Sequence, residues 1–399
     1  MGFQYVDLAL FIIFIIFLGV FLLIRRKQIG VQKIASYFLY LILYRSNFGI
    51  KFMKKISEKY RELIKFFGYC CVGLGVFLMV YVSFGILLML VKLVREPVQD
   101  AGVALVLPFT NIPGIGYLSF MHWIIAIFIL AVVHEFSHGI VAKAHGLKIK
   151  SSGFAFFSVF VPIIPAAFVE PDEKEIEKKE DIVQYSIFAA GPMANIFLAL
   201  IILLAMPFAA NPYKLAPFEG TITEPIGFSM DLVNDSLPAA QAGLTDGMII
   251  TKFNGADVKD ANSFIEAMYC VMPGDKIELE ADGRVYDITA GKADDREKGF
   301  IGVTNFKNEV RVKEEYDWLK IPYYWLKDLI KWVFLLNFFI GLFNLLPIGI
   351  VDGGRMLKTF LSRVIDNKAR AMKIWGLISL FFLMIILLGL VSTYIGKLF

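Results

Sequence analysis

His134, Glu135 and His138 fall within five consecutive residues, HEFSH, inside the run AVVHEFSHGI at 131–140. Two histidines four apart on a helix project from one face and can converge on a single ion, with Glu135 beside them to act on water. H-E-x-x-H on a helix is the signature of zinc hydrolases. A five-residue pattern also arises by chance, and a histidine on an apolar face is more often a satisfied core residue than a ligand. The energetics separate these readings. An ionisable group deep in an apolar span costs roughly 2.5–3.5 kcal/mol, and three such groups cluster here. They need a partner, which a cation supplies.

The surrounding chain is lipid-soluble. Of 399 residues, 57% are hydrophobic and 15% aromatic, against roughly 45–50% apolar in soluble domains. The expected fold class is a polytopic α-helical membrane protein. Six runs are long enough to cross about 30 Å of hydrocarbon: Tyr5 to Ile24, Phe66 to Val91, Ser119 to Val141, Tyr185 to Ala209, Tyr323 to Leu346 and Met372 to Ile395. The first has no basic leader and no small-residue cleavage site, so it is expected to be a retained span. A net charge of +4 gives no reason to expect a nucleic-acid partner. Cys70, Cys71 and Cys270 form no disulfide framework and no C-x-x-C pair.

Lys and Arg crowd the stretch from Arg25 to Lys65 against only Glu58 and Glu62, which makes that loop cytoplasmic by the positive-inside tendency. Alternation then puts both termini outside, and the second basic cluster, Arg355 to Lys373, inside. Within the first loop, Tyr37 to Tyr44 (YFLYLILY) is too short to span and is expected to lie as an interfacial helix. His134 lies about 22 Å down a helix from Ser119, in the cytoplasmic half of the membrane.

Two histidines leave a catalytic zinc one protein ligand short. His122 is about three turns away, His145 lies past the end of the span, and neither fits. The best candidate is Asp352 in NLLPIGIVDGG, 344–354, where Pro347, Gly349, Gly353 and Gly354 forbid a continuous helix. Irregular backbone at membrane depth is tolerated where it is buried or lines a cavity. An ordinary Asp-Gly turn is the competing reading, and the shared depth with His134 favours the ligand.

HEFSH in one span with N-x-x-P-x-x-x-x-D-G in a later one (Asn344, Pro347, Asp352, Gly353) resembles the site-2 protease family of intramembrane zinc metalloproteases, peptidase M50. GPMAN, 191–195, is similar to that family's G-P-x-x-N element, although Gly191 and Pro192 could equally serve helix packing or a kink. The resemblance implies a Zn2+ cofactor held by His134, His138 and Asp352, Glu135 as base, and Asn344 contacting the substrate carbonyl or the developing oxyanion. It implies transmembrane proteins or peptides as substrates, already shortened by another protease.

Two further segments complete the organisation. Residues 151–173 are apolar and broken by Pro162, Pro165 and Pro171; a membrane-dipping β-hairpin is expected, whose edge pairs with an unwound substrate, against the simpler reading of an interfacial loop. NDSLPAAQAGLTDGMIITKFNGADV, 234–258, resembles protease-associated PDZ domains, with an Asn254-Gly255 turn. This insert is expected to bind a peptide or chain end, or to act as a size filter.

The domains are therefore expected as 1–95, two spans with the basic loop; 96–209, the first part of a catalytic core; 210–322, an extracytoplasmic PDZ-like insert; 323–354, the second part of the core; and 355–399, a basic loop and the last span. A non-cleaving metal-binding scaffold or chaperone is the alternative function, and intact Glu135 argues against it. Nor is a transporter favoured, because the spans show no internal repeat and no path of ionisable residues.

Overall fold

The computed structural model describes residues 2–35, 39–47, 49–95, 106–112, 115–158, 162–210, 221–292 and 298–395. The chain divides into two compact units, Met1–Leu203 with Leu326–Phe399, and Leu204–Trp325.

The first unit is built on long helices: α1 (Gly2–Ile24), α3 (Arg61–Arg95), α4 (Phe120–Ala144), α6 (Asp181–Ala210), α9 (Lys320–Asn344) and α11 (Lys368–Ile395), with the shorter α2 (Ile50–Lys59), α5 (Glu173–Ile176) and α10 (Asp352–Val364). Five of these, all the long ones except α9, are long and apolar enough to cross a membrane. α9 is a 25-residue helix, but Lys327, Asp328 and Lys331 sit in its first half. A six-span count thus rests on α9, whose length suffices and whose charges set it apart.

The catalytic-motif helix α4 is fixed at both ends. At its start Ser119 caps the His122 N–H, and the first free amides meet a carboxylate from another helix. Asp7, an acid in the otherwise apolar α1, accepts from Phe120 N at 2.7 Å, from Met121 N at 3.3 Å and from the Tyr117 hydroxyl at 3.3 Å. Helix amides without intrahelical partners are costly to bury unpaired. Asp7→Ala should therefore destabilise the unit by about 1–3 kcal/mol, read as a lower unfolding midpoint in detergent; an unchanged midpoint would mean that α4 does not depend on this cap.

Four strands form an antiparallel sheet beside α4, in the order β1 (Ile29–Ala35), β2 (Leu39–Ser46), β5 (Ile149–Ser158), β6 (Pro162–Pro171); β3 (Thr110–Ile112) and β4 (Gly116–Leu118) form a separate hairpin ahead of α4. The hairpin of β5 and β6 is paired from Ser151↔Glu170 to Phe157↔Ile164 without a break. The expected interfacial helix at Tyr37–Tyr44 is instead strand β2 over its described part, paired with β1 through Ile42↔Val31 and with β5 through Ile42↔Phe156. An all-apolar run has no period to distinguish helix from strand, and the distant partner β5 decided the outcome.

Close approach of α2 to α4 depends on Gly139, where a Cβ would overlap Met53 Sδ and lie 3.1 Å from Val169 Cγ1. Met53 is fully buried in this contact.

The second unit carries a six-stranded sheet in the order β11 (Arg284–Thr289), β10 (Lys276–Ala281), β8 (Ile249–Phe253), β7 (Thr223–Leu232), β14 (Val303–Val312), with β9 (Ala256–Asp257) pairing β8, and a separate two-stranded pair, β12 (Gly291–Lys292) and β13 (Gly299–Phe300). Phe228, Ile250, Phe264, Leu279 and Ile288 fill its core. After the short α7 (Pro238–Gln241), helix α8 (Ala261–Met268) starts at a reciprocal capping box between Asp260 and Ser263. Asn254 and Gly255 have φ of 50° and 77°, the left-handed pair that a two-residue hairpin between β8 and β9 requires.

Candidate metal centre

Helix α4 carries His134 and His138 one turn apart, both buried, with Asp352 buried opposite them at the start of α10. Asp352 Oδ2 lies 3.0 Å from His134 Nε2 and 3.2 Å from His138 Nε2, and the two Nε2 atoms are 3.1 Å apart. All three donor atoms lie within 4.8 Å of one another.

Asp352 reaches this position because the chain between α9 and α10 folds tightly. A Cβ on Gly353 would overlap the Leu345 carbonyl, and one on Gly354 the Ile348 carbonyl; only glycine lets the helix start nest in that loop. Trp375 Nε1 on α11 donates to the Gly354 carbonyl at 2.8 Å and pins it from the other side.

The far nitrogens of the histidines are held by α6. His138 Nδ1 donates to the Ile187 carbonyl at 2.6 Å, which leaves its Nε2 as a lone pair facing Asp352 and His134. Asn195, fully buried, places its amide 3.3 Å from His134 Nδ1. Its Oδ1 has no hydrogen-bond partner. Exchanging the two ends of the amide lets Oδ1 accept from His134 Nδ1–H and leaves His134 Nε2 as a second lone pair.

Gly191, one turn before Asn195, lies against the histidines: a Cβ there would overlap His138 Nε2 and stand 2.9 Å from His134 Nε2. Sequence reasoning left Gly191 open between packing and kinking and assigned Asn195 no role. Their i, i+4 spacing, which puts both on one helix face, was the available signal.

Glu135 is half-buried on the hairpin side of α4, and its Oε2 accepts from the Val169 N–H of β6 at 2.9 Å. Asn344 ends α9, where its Nδ2 donates to the Ile340 carbonyl at 3.0 Å. Among the described residues no hydrogen bond joins its side chain to the two histidines or to Asp352. His145 caps the end of α4 and meets Ser186 Oγ at 3.3 Å. Burial, then Lys65, Lys179 and Arg61, hold its imidazole below its ordinary pKa. Both His122 and His145 stand outside the donor cluster.

Two imidazole nitrogens and one carboxylate oxygen are the donor set of a catalytic zinc site with an open fourth position. The residues fit that ion in three respects: the donors converge, hydrogen bonds turn Nε2 of each histidine inward, and Gly191 leaves clear the space that a Cβ would fill.

A polytopic helical protein with this centre defines a class of membrane metallopeptidase. The chain belongs to peptidase family M50, whose model matches residues 122–386.

Among known proteins it is similar to an uncharacterized protein of Methanocaldococcus jannaschii, 26% identical over 329 residues that make up 82% of this chain and 79% of that one. It is also similar to a Neisseria meningitidis protein that carries the provisional name of a zinc metalloprotease, 31% identical over 220 residues. That match covers 46% of this chain and 46% of the Neisseria protein, so the chain spans less than half the length of that relative.

Among solved structures it is similar to the PDZ domain of an SdrC-like protein from Listeria monocytogenes, with 26% identity, coverage of 20% of this chain and 86% of that one, and a TM-score of 0.19. The corresponding domain from Listeria innocua gives 22% identity, coverage of 19% and 91%, and a TM-score of 0.17.

Proposed function

We propose that this protein is an intramembrane zinc metalloprotease of the site-2 type, hydrolysing peptide bonds within or near the transmembrane segments of membrane-anchored substrates. The observation that carries the reading is Glu135 standing beside the His134, His138 and Asp352 cluster on a helix long and apolar enough to cross a membrane.

Zinc, when held by these three residues, supplies Lewis acidity toward the scissile carbonyl and toward water. Glu135 takes a proton from the attacking water as its oxygen bonds to the carbonyl carbon, then delivers it to the amine as the C–N bond breaks. His138 stays oriented through Ile187 and His134 through Asn195. Asn344 donates to the substrate carbonyl once its amide leaves the Ile340 carbonyl.

A helix must unwind before its amide can be attacked, and bare backbone in lipid costs several kcal/mol per unpaired group. β6 answers that need: it closes one end of the four-stranded sheet and lies against α4, so its free edge can pair with an extended substrate. The edge is β6, and β5 is an inner strand; disruption of pairing is therefore expected along 162–171. In this reading the site lies in the cytoplasmic half of the bilayer, both termini are outside, and the unit at 204–325 is an extracytoplasmic PDZ-like domain that binds peptides or filters substrates by size.

The test is purified, zinc-loaded protein against a panel of single-span peptides, wild type beside Glu135→Gln. Cleavage should be metal-dependent and fall by about 10²–10⁴ in the variant. Absence of cleavage by the wild type across a broad panel would favour a metal-binding scaffold.

A further inference from the structure

Alternation along β6 sorts its backbone amides into two sets. The Val169 N–H points away from β5, since it donates to Glu135 Oε2 at 2.9 Å while Val169 stands opposite Ser152 in the hairpin. By the two-residue period of a strand, positions 165, 167 and 171 share that outward edge. Pro165 and Pro171 have no N–H to offer. Between them the edge presents two donors only, Ala167 and Val169, and the second is already engaged by Glu135.

We propose that the Val169 N–H is a substrate-operated latch on Glu135. This rests on the protease reading above. A substrate strand arriving on β6 between Pro165 and Pro171 has two amide donors to pair with, so the carbonyl that claims Val169 must displace the Glu135 carboxylate. The exchange trades one acceptor for another and releases Glu135 when peptide backbone reaches it. Until then the carboxylate is tethered to the hairpin.

Because Pro165 and Pro171 remove the flanking donors, the Val169 pairing is one of only two that this stretch of edge offers to substrate carbonyls. Val169 is a positioning residue in this scheme, and its side chain packs on the Gly139 side of α4.

The test uses the full-length, zinc-loaded protein and a single-span peptide that the wild type cleaves. Val169→Pro deletes the donor at an edge position where proline is tolerated, as at 165 and 171, and Val169→Ala keeps it. KM should rise about tenfold in Val169→Pro, the loss of one charge-free pairing at the edge, while kcat stays within about threefold. Val169→Ala, which keeps the N–H, should show a KM closer to that of wild type than Val169→Pro does. A fall in kcat at unchanged KM would mean that the N–H only aims Glu135, and would overturn the latch.

Should Val169→Pro not fold, hydrogen exchange in Glu135→Ala decides. The Val169 amide should exchange about tenfold faster than in wild type and regain protection when the peptide binds; an amide still unprotected with peptide bound overturns the proposal. Failure of the protease reading shows separately, as a wild-type protein that cuts nothing.

Discussion

Gly191→Ala is expected to remove most of the metal affinity of the site while leaving the rest of the helical unit assembled. The added Cβ would overlap His138 Nε2, lie 2.7 Å from His138 Cε1 and stand 2.9 Å from His134 Nε2, so it occupies the face on which the imidazoles converge. The His138 ring cannot swing away without leaving the Ile187 carbonyl, 2.6 Å from its Nδ1. Nor can α6 back off freely, since Ala189 and Ala190 are fully buried and a Cβ on Gly75 of α3 would already be 3.3 Å from the Ala189 methyl.

Overpacking of this kind costs about 1–3 kcal/mol, and a displaced imidazole costs about 10–100-fold in metal affinity. Chelator competition followed by circular dichroism checks both: weaker zinc with an unchanged helical spectrum is expected. Gly73→Ala is the control, because a Cβ there meets nothing within 4 Å. Equal zinc affinity in the two variants would show that the contact at Gly191 relaxes without cost.

Asp352→Asn tests the third ligand. The substitution conserves size and leaves the nested start of α10 intact, with Gly353, Gly354 and the Trp375 contact unchanged. It removes the negative charge that Oδ2 brings to within 3.0 Å of His134 Nε2 and 3.2 Å of His138 Nε2. A site reduced to neutral donors should hold zinc at least about a hundredfold more weakly, a loss at the upper end of that seen for supporting residues. Peptide cleavage should fall with it, and added zinc should restore part of the activity. Retained affinity would place the third ligand elsewhere, although His134, His138 and Asp352 are the one such donor group among the described residues.

Much of the site was legible because its chemistry is local. H-E-x-x-H needs only helical periodicity to bring His134 and His138 to one face, and an apolar context makes their presence costly enough to demand a reason. Asp352 was legible by a longer route, through shared depth and a Gly-Pro-rich segment that could not be one continuous helix. Gly191 was ambiguous because its role is the absence of an atom beside residues on another helix, and Asn195 because only packing shows what its amide meets. Asp7 carries no local signal of its role, because the amides that it caps belong to α4. Val169 carries no mark at all, since its contribution is a backbone N–H.

The apolar spans, the two histidines with their glutamate, the break in the helix before Asp352 and the Asn254-Gly255 hairpin were determined by the sequence alone, since each depends on composition or on residues within a turn or two of one another. Tertiary structure decided the rest. It made β2 a strand, because an all-apolar octet has no preferred period until β1 and β5 pair with it. It turned Nε2 of both histidines inward, because the groups that hold their other nitrogens come from α6. And it tied Glu135 to β6 through a hydrogen bond spanning 34 positions, a distance across which only the folded chain can choose a partner.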